Sequence, residues 1–221
     1  MIAQLKYGSG IPFYRLERLE GQLGIPLPAA TQWEIVEELA EVIKPARDEL
    51  IRQAAQGEVL HNDDTGMRVL KLEREPGDQR TGVFTSGIVS TAQGRKIALY
   101  FTGRQHAGEN LADVLKQRAV EAGPAIQMSD ALSWNAPKLP GGLELLVAHC
   151  LAHGRRQVVE VAQNFPVECR YVLEQLGEVY GVDAQARDVG MTAEERLRFH
   201  QQHSKPILEA LHGWLEAQFA E

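Results

Sequence analysis

The stretch VLHNDDTGMRVL, residues 59–70, places two adjacent carboxylates, Asp63 and Asp64, inside an apolar segment. Ionised groups in such a segment cost stability unless hydrogen bonds or a bound cation offset their desolvation. Asn, Asp and Gly are also frequent turn residues, so NDDTG is compatible with a tight turn. The stretch therefore has two interpretations, a turn or part of a metal site, and its surroundings must decide between them.

The periodicity of the chain changes from helical to strand-like at about residue 57. Four short segments are rich in β-branched, aliphatic and aromatic residues, and turn-forming stretches (PGDQRTG and TAQGR) separate the later ones: EVLHND, MRVLKLE, GVFTSGIVS and KIALYFTG. This pattern predicts antiparallel strands. A helix in GENLADVLKQRAVEAG and further strands in PAIQMSD and LELLVAHCLAH follow. The order predicts an α/β fold, with a mixed α+β sheet covered by helices.

Both ends of the chain have the three–four apolar spacing of helices. In residues 11–54, GIPLPA interrupts the pattern, which gives two helices around a short turn, as in a helix-turn-helix. An ordinary helical hairpin is the alternative, because acidic residues outnumber basic ones there. Thr31 with Glu34, and Thr192 with Glu195, predict capping boxes. Pro45 predicts a kink or a split in the second helix.

The bulk composition limits the classes of function. The 221 residues carry a net charge of −7, which argues mildly against a free-standing nucleic-acid binder but leaves local basic patches open. No apolar run approaches the roughly 18–20 residues of a membrane span, so no membrane partner is expected. The N-terminus does not resemble a signal peptide, and two cysteines form no disulfide framework. We therefore expect a cytoplasmic protein.

A second acidic residue follows another strand-like segment. Asp130 ends PAIQMSD, as Asp63 follows the strand-like run before it. Carboxylates at the ends of neighbouring strands can converge, and Mg²⁺ usually takes one or two protein carboxylates. A pair of such ions can hold the attacking and leaving oxygens in phosphoryl transfer. The alternative is a local role, in which Ser129 or Asp130 caps a helix.

Seven stretches resemble, in the expected order, the central part of IS66-family transposases. They are GSGIPFYRLERLEGQLGIPLPAATQWEIVEE, VLHNDDTGMRVL, RTGVFTSGIVS, HAGENLADVL, IQMSDALS, CLAHGRRQ and AEERLRFHQQHSKPILEAL. That family is similar to the wider DDE transposases, which have an RNase H-like catalytic core. The resemblance implies Mg²⁺- or Mn²⁺-dependent cleavage and strand transfer of DNA at insertion-sequence ends in a bacterial cytoplasm. It also implies three regions: a helix-turn-helix-like unit in 1–55, a partial RNase H-like core in 56–152 and a helical insertion in 153–221.

The resemblance assigns roles to individual residues. Asp63 matches the first catalytic and metal-binding aspartate, and Asp130 matches the second. Asp64 stands where many members have Glu, and we expect it to support the metal ligand or to belong to a turn.

The CLAHGRR stretch matches a Cys-x-x-His segment followed by arginines. Cys150 and His153 belong to it, and His153 is a further candidate for a supporting role. Arg155 and Arg156 are candidates for contact with a DNA phosphate, although a solvated helix start is the alternative. A zinc site at His149, Cys150 and His153 is also open, but a structural zinc ion normally needs four ligands. The favoured alternative is a strand-to-helix junction with a buried cysteine.

The chain departs from the family pattern at the third carboxylate. The expected D-N-N-x-x-E-R stretch does not occur in these 221 residues, and Asp183 and Glu194 are acids outside the motif. We therefore expect a transposase fragment, truncated at both ends, that holds metal weakly and is inactive alone. The alternative is a non-enzymatic remnant that binds DNA, a full-length transposase or another copy of itself.

Overall fold

The structure is a computed structural model that describes residues 1–69, 80, 82–139, 141 and 143–219. The chain forms two compact units. One comprises Met1–Gln127 and Ala136–Leu146, and the other comprises Met128–Asn135 and Val147–Glu221. The predicted division into 1–55, 56–152 and 153–221 stays a prediction.

The predicted α/β class with a mixed sheet is confirmed. Five strands have the order β3-β2-β1-β4-β5, and β1 pairs with β2, and β2 with β3, in antiparallel fashion. The strands are β1 (Val59–Arg68), β2 (Gly82–Ala92), β3 (Arg95–Gly103), β4 (Ala125–Ser129) and β5 (Leu145–His149). Residues 70–73 of the predicted MRVLKLE strand, and most of the PGDQRTG turn, lie outside the described residues.

The turn interpretation of NDDTG is wrong, because β1 runs through it without a break. Its pairing with β2 is continuous from Val59 opposite Thr91 to Arg68 opposite Gly82. The expectation that Asp63 ends a strand is wrong for the same reason, since Asp63 is the fifth residue of ten in β1. The ladder satisfies the backbone along the whole segment, and this tertiary pairing overrides the local turn preference of Asn, Asp and Gly.

Six α-helices are described. They are α1 (Phe13–Gln22), α2 (Ala29–Ala54), α3 (Ala107–Leu115), α4 (Leu151–Val161), α5 (Pro166–Asp188) and α6 (Ala193–Phe219). The helical prediction for residues 11–54 is confirmed, whereas the helix-turn-helix assignment stays a prediction. Pro45 does not split α2, which continues through it.

One of the two predicted capping boxes forms. The Thr192 hydroxyl oxygen accepts the Glu195 backbone N–H at 3.3 Å. The Thr192 backbone N–H donates to the Glu195 carboxylate at 2.9 Å. At α2 the prediction is wrong, because the helix begins at Ala29 after Pro28, and the first N–H donates to the Glu17 carboxylate of α1 at 3.3 Å instead of to Thr31. Proline is well suited to a helix start, so α2 begins two residues before Thr31.

Each unit has its own apolar core. In the first unit, the core joins the end of α2, one face of the sheet and α3, with the buried residues Ile51, Ala54, Leu60, Ile88, Leu99, Leu111, Val114, Leu115 and Ala125. In the second unit, Val172 and Leu176 of α5 pack with Leu211 of α6. Within the described part of the chain, no helix is long and apolar enough to cross a membrane.

A buried arginine ties the first unit together beside this core. Arg118 is only 8% exposed. Its guanidinium donates to the carbonyl oxygens of Ala55 at 2.7 Å, Gly57 at 2.8 Å, Gly123 at 3.0 Å and Ala122 at 3.2 Å. Burial lowers the pKa of Arg118 from its usual value. One side chain thus links the segment before β1 to the segment before β4.

Candidate functional site

Asp63 and Asp64 lie on opposite faces of β1. Successive side chains of a strand point to opposite sides of the sheet. Leu60, Asn62 and Asp64 lie on the face that carries the core, where Asp64 is opposite Ser86 of β2. Asp63 lies on the other face, opposite Gly87, and is exposed. The two neighbouring carboxylates therefore have different environments and different chemistry.

Asp64 is a structural anchor between β1 and the start of α3. Its side chain is 8% exposed. One carboxylate oxygen, Oδ1, accepts the Ser86 hydroxyl at 2.6 Å. The other oxygen, Oδ2, accepts the Ala107 backbone N–H at 2.9 Å and lies 3.0 Å from His106 Nδ1. An acidic side chain at a helix N-terminus also interacts favourably with the helix dipole, so Asp64 stabilises α3 in two ways.

The partners of Asp64 are themselves held in place. Asn110 of α3 donates to the Ser86 hydroxyl oxygen at 2.8 Å. The Glu109 carboxylate accepts the His106 N–H at 2.7 Å and contacts Arg80 at 3.1 Å. Burial opposes ionisation of Glu109, but these two contacts outweigh it and lower its pKa. The network fixes α3 against the middle of the sheet.

Asp63 lies on an open part of the opposite sheet face. Its Oδ1 accepts the backbone N–H of Asp64 at 2.8 Å. The neighbour opposite on β2 is Gly87, which has no side chain, and the next residue along the row is Tyr100 of β3, which is 72% exposed. The carboxylate is therefore accessible from solvent and is held by a strand whose position the Asp64 network fixes.

Asp130 follows β4 directly, as the sequence predicted, and is half-buried. Its Oδ1 accepts the Leu132 N–H at 3.1 Å and the Asn135 side-chain amide at 2.7 Å. The backbone of Ala131 is left-handed, with φ of 70°, and only a short 3₁₀ turn follows (Ser133–Asn135). Asp130 thus stabilises a tight turn and does not cap an α-helix. Since Asp63 and Asp130 belong to different compact units, their convergence stays a prediction.

Cys150 and His153 lie at the start of α4. Cys150 is the residue before the helix, and His153 is half-buried in its first turn. Hydrogen bonding to His153, from its side chain and backbone, lowers the pKa of the Cys150 thiol. Arg155 and Arg156 follow on α4 and are both exposed. Among the residues that the structure describes, no three His, Cys, Asp or Glu side chains form a group suited to a metal ion.

The two acids considered as substitutes for a third carboxylate have other partners. Asp183 of α5 forms ion pairs with Arg196 and with Arg187 at 3.4 Å, and its Oδ1 is within hydrogen-bond distance of His200 Nε2 at 3.2 Å. Burial opposes its ionisation, but the hydrogen bonds from Arg196 and His200 and the charges of Arg196 and Arg187 outweigh this and lower the pKa of Asp183. Glu194 is in the first turn of α6 and contacts Arg198 at 3.4 Å.

Comparison with known proteins gives the family. The model of a transposase family, described as Transposase IS66 family, matches residues 1–221, and the chain therefore belongs to the IS66 transposase family. This confirms the resemblance found in the sequence. No curated protein and no solved structure shows a significant match.

The partners of Asp64 were not identified from the sequence. Ser86, His106 and Asn110 are ordinary residues of a strand and of a helix start, and no motif links them to residue 64. One signal was available: in a strand, adjacent residues face opposite sides. Treating NDDTG as a continuous strand would have predicted that only one of the two aspartates can face a given site.

Proposed function

We propose that this chain is the catalytic region of a DDE-type DNA transposase, with Asp63 as its first metal-binding carboxylate. The observation that supports this choice is that the two neighbouring aspartates of β1, Asp63 and Asp64, have different surroundings. Asp64 has both carboxylate oxygens engaged by Ser86 and by the start of α3. Asp63 lies on the opposite face of the same strand and is exposed.

The carboxylate oxygens of Asp63 and Asp130 are ligands that suit a hard divalent cation. Mg²⁺ binds through one or two carboxylates and keeps several waters, so two aspartates are an appropriate protein contribution. A bound pair of Mg²⁺ or Mn²⁺ ions supplies charge stabilisation at the attacking and leaving oxygens of a phosphodiester. The protein residues have a positioning role: the β1 ladder fixes Asp63, and the turn after β4 fixes Asp130.

The proposed core is RNase H-like. Support comes from the sheet, in which three consecutive antiparallel strands are followed by β4 and β5 on the other side of β1. Both proposed metal ligands then belong to β1 or to the residue that directly follows its neighbour β4. Arg155 and Arg156 are proposed to contact DNA phosphates, because both are exposed at the start of one helix.

We further propose that the 221-residue chain on its own does not cleave or join DNA at a useful rate. The family's third carboxylate motif is not in this sequence. Moving Asp183 to a metal would break its ion pairs with Arg187 and Arg196 and its hydrogen bond with His200, which stabilise its present position. A site that lacks one ligand should bind divalent ions weakly, which makes binding without cleavage the expected behaviour.

Metal binding is tested by thermal unfolding in Mg²⁺ or Mn²⁺ against EDTA. A cation that binds only the folded state raises the melting temperature. We expect the shift to disappear in Asp63→Asn and Asp130→Asn and to remain in Asp48→Asn, a matched loss of one exposed acid on α2. Equal shifts in all three variants would refute the assignment of Asp63 and Asp130.

Catalysis is tested by a nicking assay on DNA that carries the ends of the insertion sequence, with Mg²⁺ or Mn²⁺ present and Asp63→Ala as the control. No cleavage by the wild-type chain is expected. Cleavage that disappears in Asp63→Ala would contradict the proposed inactivity while supporting the proposed role of Asp63.

DNA contact is tested by fluorescence anisotropy across a range of salt concentrations. Each phosphate contact that is lost reduces the slope of log K against log salt by about 1. We expect this reduction in Arg155→Ala and in Arg156→Ala, and none in Arg170→Ala, an exposed arginine on α5. An unchanged slope in all three variants would exclude Arg155 and Arg156 from the DNA interface.

A further inference from the structure

The middle of α2 is exposed, and Arg47 there lies over the Phe101 ring of β3 at 5.6 Å. Every residue from 37 to 50 is exposed, although the helix is anchored at both ends. Near its start, Gln32 and Val36 are buried, and near its end Ile51 and Ala54 enter the core. An isolated helix as short as this exposed section is only marginally stable in water. Apolar side chains that remain in contact with water in this section therefore cost free energy of folding.

Residues 35 to 50 of α2 carry a continuous apolar stripe. At 3.6 residues per turn, six uncharged residues fall within about 100° of one another on the helix surface. They are Ile35, Leu39, Val42, Ile43, Ala46 and Leu50. Val42 is 75% exposed and Ile43 is 55% exposed. Towards the ends of the stripe, Ile35, Leu39 and Leu50 are 43–45% exposed. A stripe of this width is what a helix buries against a partner helix.

The stripe is symmetric about its own midpoint. Ile35 and Leu50 are equally far from the point between Val42 and Ile43, and so are Leu39 and Ala46. If two copies of α2 pair antiparallel about a two-fold axis at that point, every apolar residue meets an apolar residue of the other copy. Self-complementarity of this kind is the requirement of a two-fold interface.

The charges on α2 favour the same arrangement. The half of α2 that precedes the midpoint of the stripe has only acidic charges, from Glu34, Glu37, Glu38 and Glu41. The second half contains the helix's basic residues, Lys44, Arg47 and Arg52, together with Asp48 and Glu49. Antiparallel pairing sets the acidic half beside the half that holds the bases, whereas parallel pairing sets four glutamates beside four glutamates. The acidic half also disfavours DNA phosphates and anionic membranes as the partner.

We infer that the α2 stripe is a docking surface for a second copy of this chain, paired antiparallel about the point between Val42 and Ile43. The inference is independent of the metal site and of cleavage activity. One pair of helix faces is smaller than the roughly 800 Å² per partner of a standard interface. The dimer should therefore be weak and concentration-dependent.

Sedimentation equilibrium of the full chain is the primary test. We expect the weight-average mass to rise with concentration from 24.5 kDa towards twice that value. Leu39→Glu should weaken association by at least about tenfold, the effect of about 1.4 kcal/mol. Ala40→Glu adds the same charge at the next residue, outside the stripe, and should have little effect. A monomer through the micromolar range, or a dimer that Leu39→Glu leaves intact, overturns the inference.

Cysteine cross-linking tests the orientation and does not depend on a destabilising charge. A disulfide needs Cα atoms about 4.4–6.8 Å apart. Antiparallel pairing predicts that Val42→Cys cross-links with itself, and that Leu39→Cys cross-links with Ala46→Cys but not with itself. The unmodified chain under the same oxidant controls for Cys150 and Cys169. Self-linkage of Leu39→Cys would show parallel pairing, and the absence of any α2 cross-link would exclude this surface.

Discussion

Replacing Asp64 by alanine should destabilise the protein far more than the same change at Asp63. Asp64→Ala removes the acceptor for the Ser86 hydroxyl and for the Ala107 N–H, and both residues are 0% exposed. A buried donor that loses its partner costs about 1–3 kcal/mol, and loss of a helix cap costs about 0.5–2 kcal/mol. Two donors lose their acceptor, and the loss of the cap concerns the second of them, the Ala107 N–H, so we expect a total loss of about 2–6 kcal/mol. Asp63→Ala removes an exposed carboxylate and should cost less than about 1 kcal/mol.

The measurement is equilibrium unfolding in urea, followed by circular dichroism, together with amide hydrogen exchange in α3. Stability extrapolates linearly with denaturant concentration, so the two variants can be compared directly. Asp64→Ala should also lose protection of the α3 amides, from Ala107 onward, whereas Asp63→Ala should keep it. Asp64→Asn retains one acceptor oxygen and should fall between the two. Equal losses for Asp63→Ala and Asp64→Ala would refute the division of roles between the two faces of β1.

Three further predictions concern stability. Arg118→Lys should lower the free energy of unfolding in urea by about 2–4 kcal/mol, because one ammonium cannot reach the four carbonyl oxygens that the guanidinium contacts. A variant as stable as the wild type would contradict this prediction. Thr192→Ala should cost about 1 kcal/mol through loss of the α6 cap, measured in the same way, and Thr31→Ala, which has no cap to lose, is its control. Asp183 has a lowered pKa, so its stabilising contribution is present above the usual aspartate pKa and is lost as pH falls through the lowered value. Asp183→Asn should therefore lower the melting temperature at neutral pH but not in strong acid, and a difference that is independent of pH would exclude the ion pairs as its cause.

The sequence predicted the order of elements well where periodicity was long and consistent. Helices in residues 11–54 and after residue 153, and the strand that ends before Asp130, follow from apolar spacing. The strand predicted in LELLVAHCLAH forms only over Leu145–His149, and its last three residues already belong to α4. The error at β1 has a physical cause: Asn62, Asp63, Asp64 and Gly66 have turn propensity, but pairing with β2 on one side and the core contact of Leu60 hold them extended. Local propensity does not contain that long-range pairing.

The candidate site was predicted as far as its residue types allowed. Two acids in strand-associated segments, Asp63 and Asp130, could be chosen from the sequence, and their role in metal binding stays a prediction. The different environments of Asp63 and Asp64 could not be assigned, because the contacts of Asp64 reach Ser86 and Ala107, which are 22 and 43 residues away. Such contacts depend on how α3 returns to the sheet, which spacing along the chain does not specify.

The glycine opposite Asp63 determines how much of that carboxylate remains reachable. A methyl group at Gly87 would meet only the Tyr100 ring, at 3.7 Å, which is ordinary van der Waals contact. The fold should therefore accept small side chains at position 87. A branched or aromatic residue at position 87 would cover the face of the sheet beside Asp63. Position 87 thus offers a steric means of closing the proposed site while leaving every carboxylate of the protein in place.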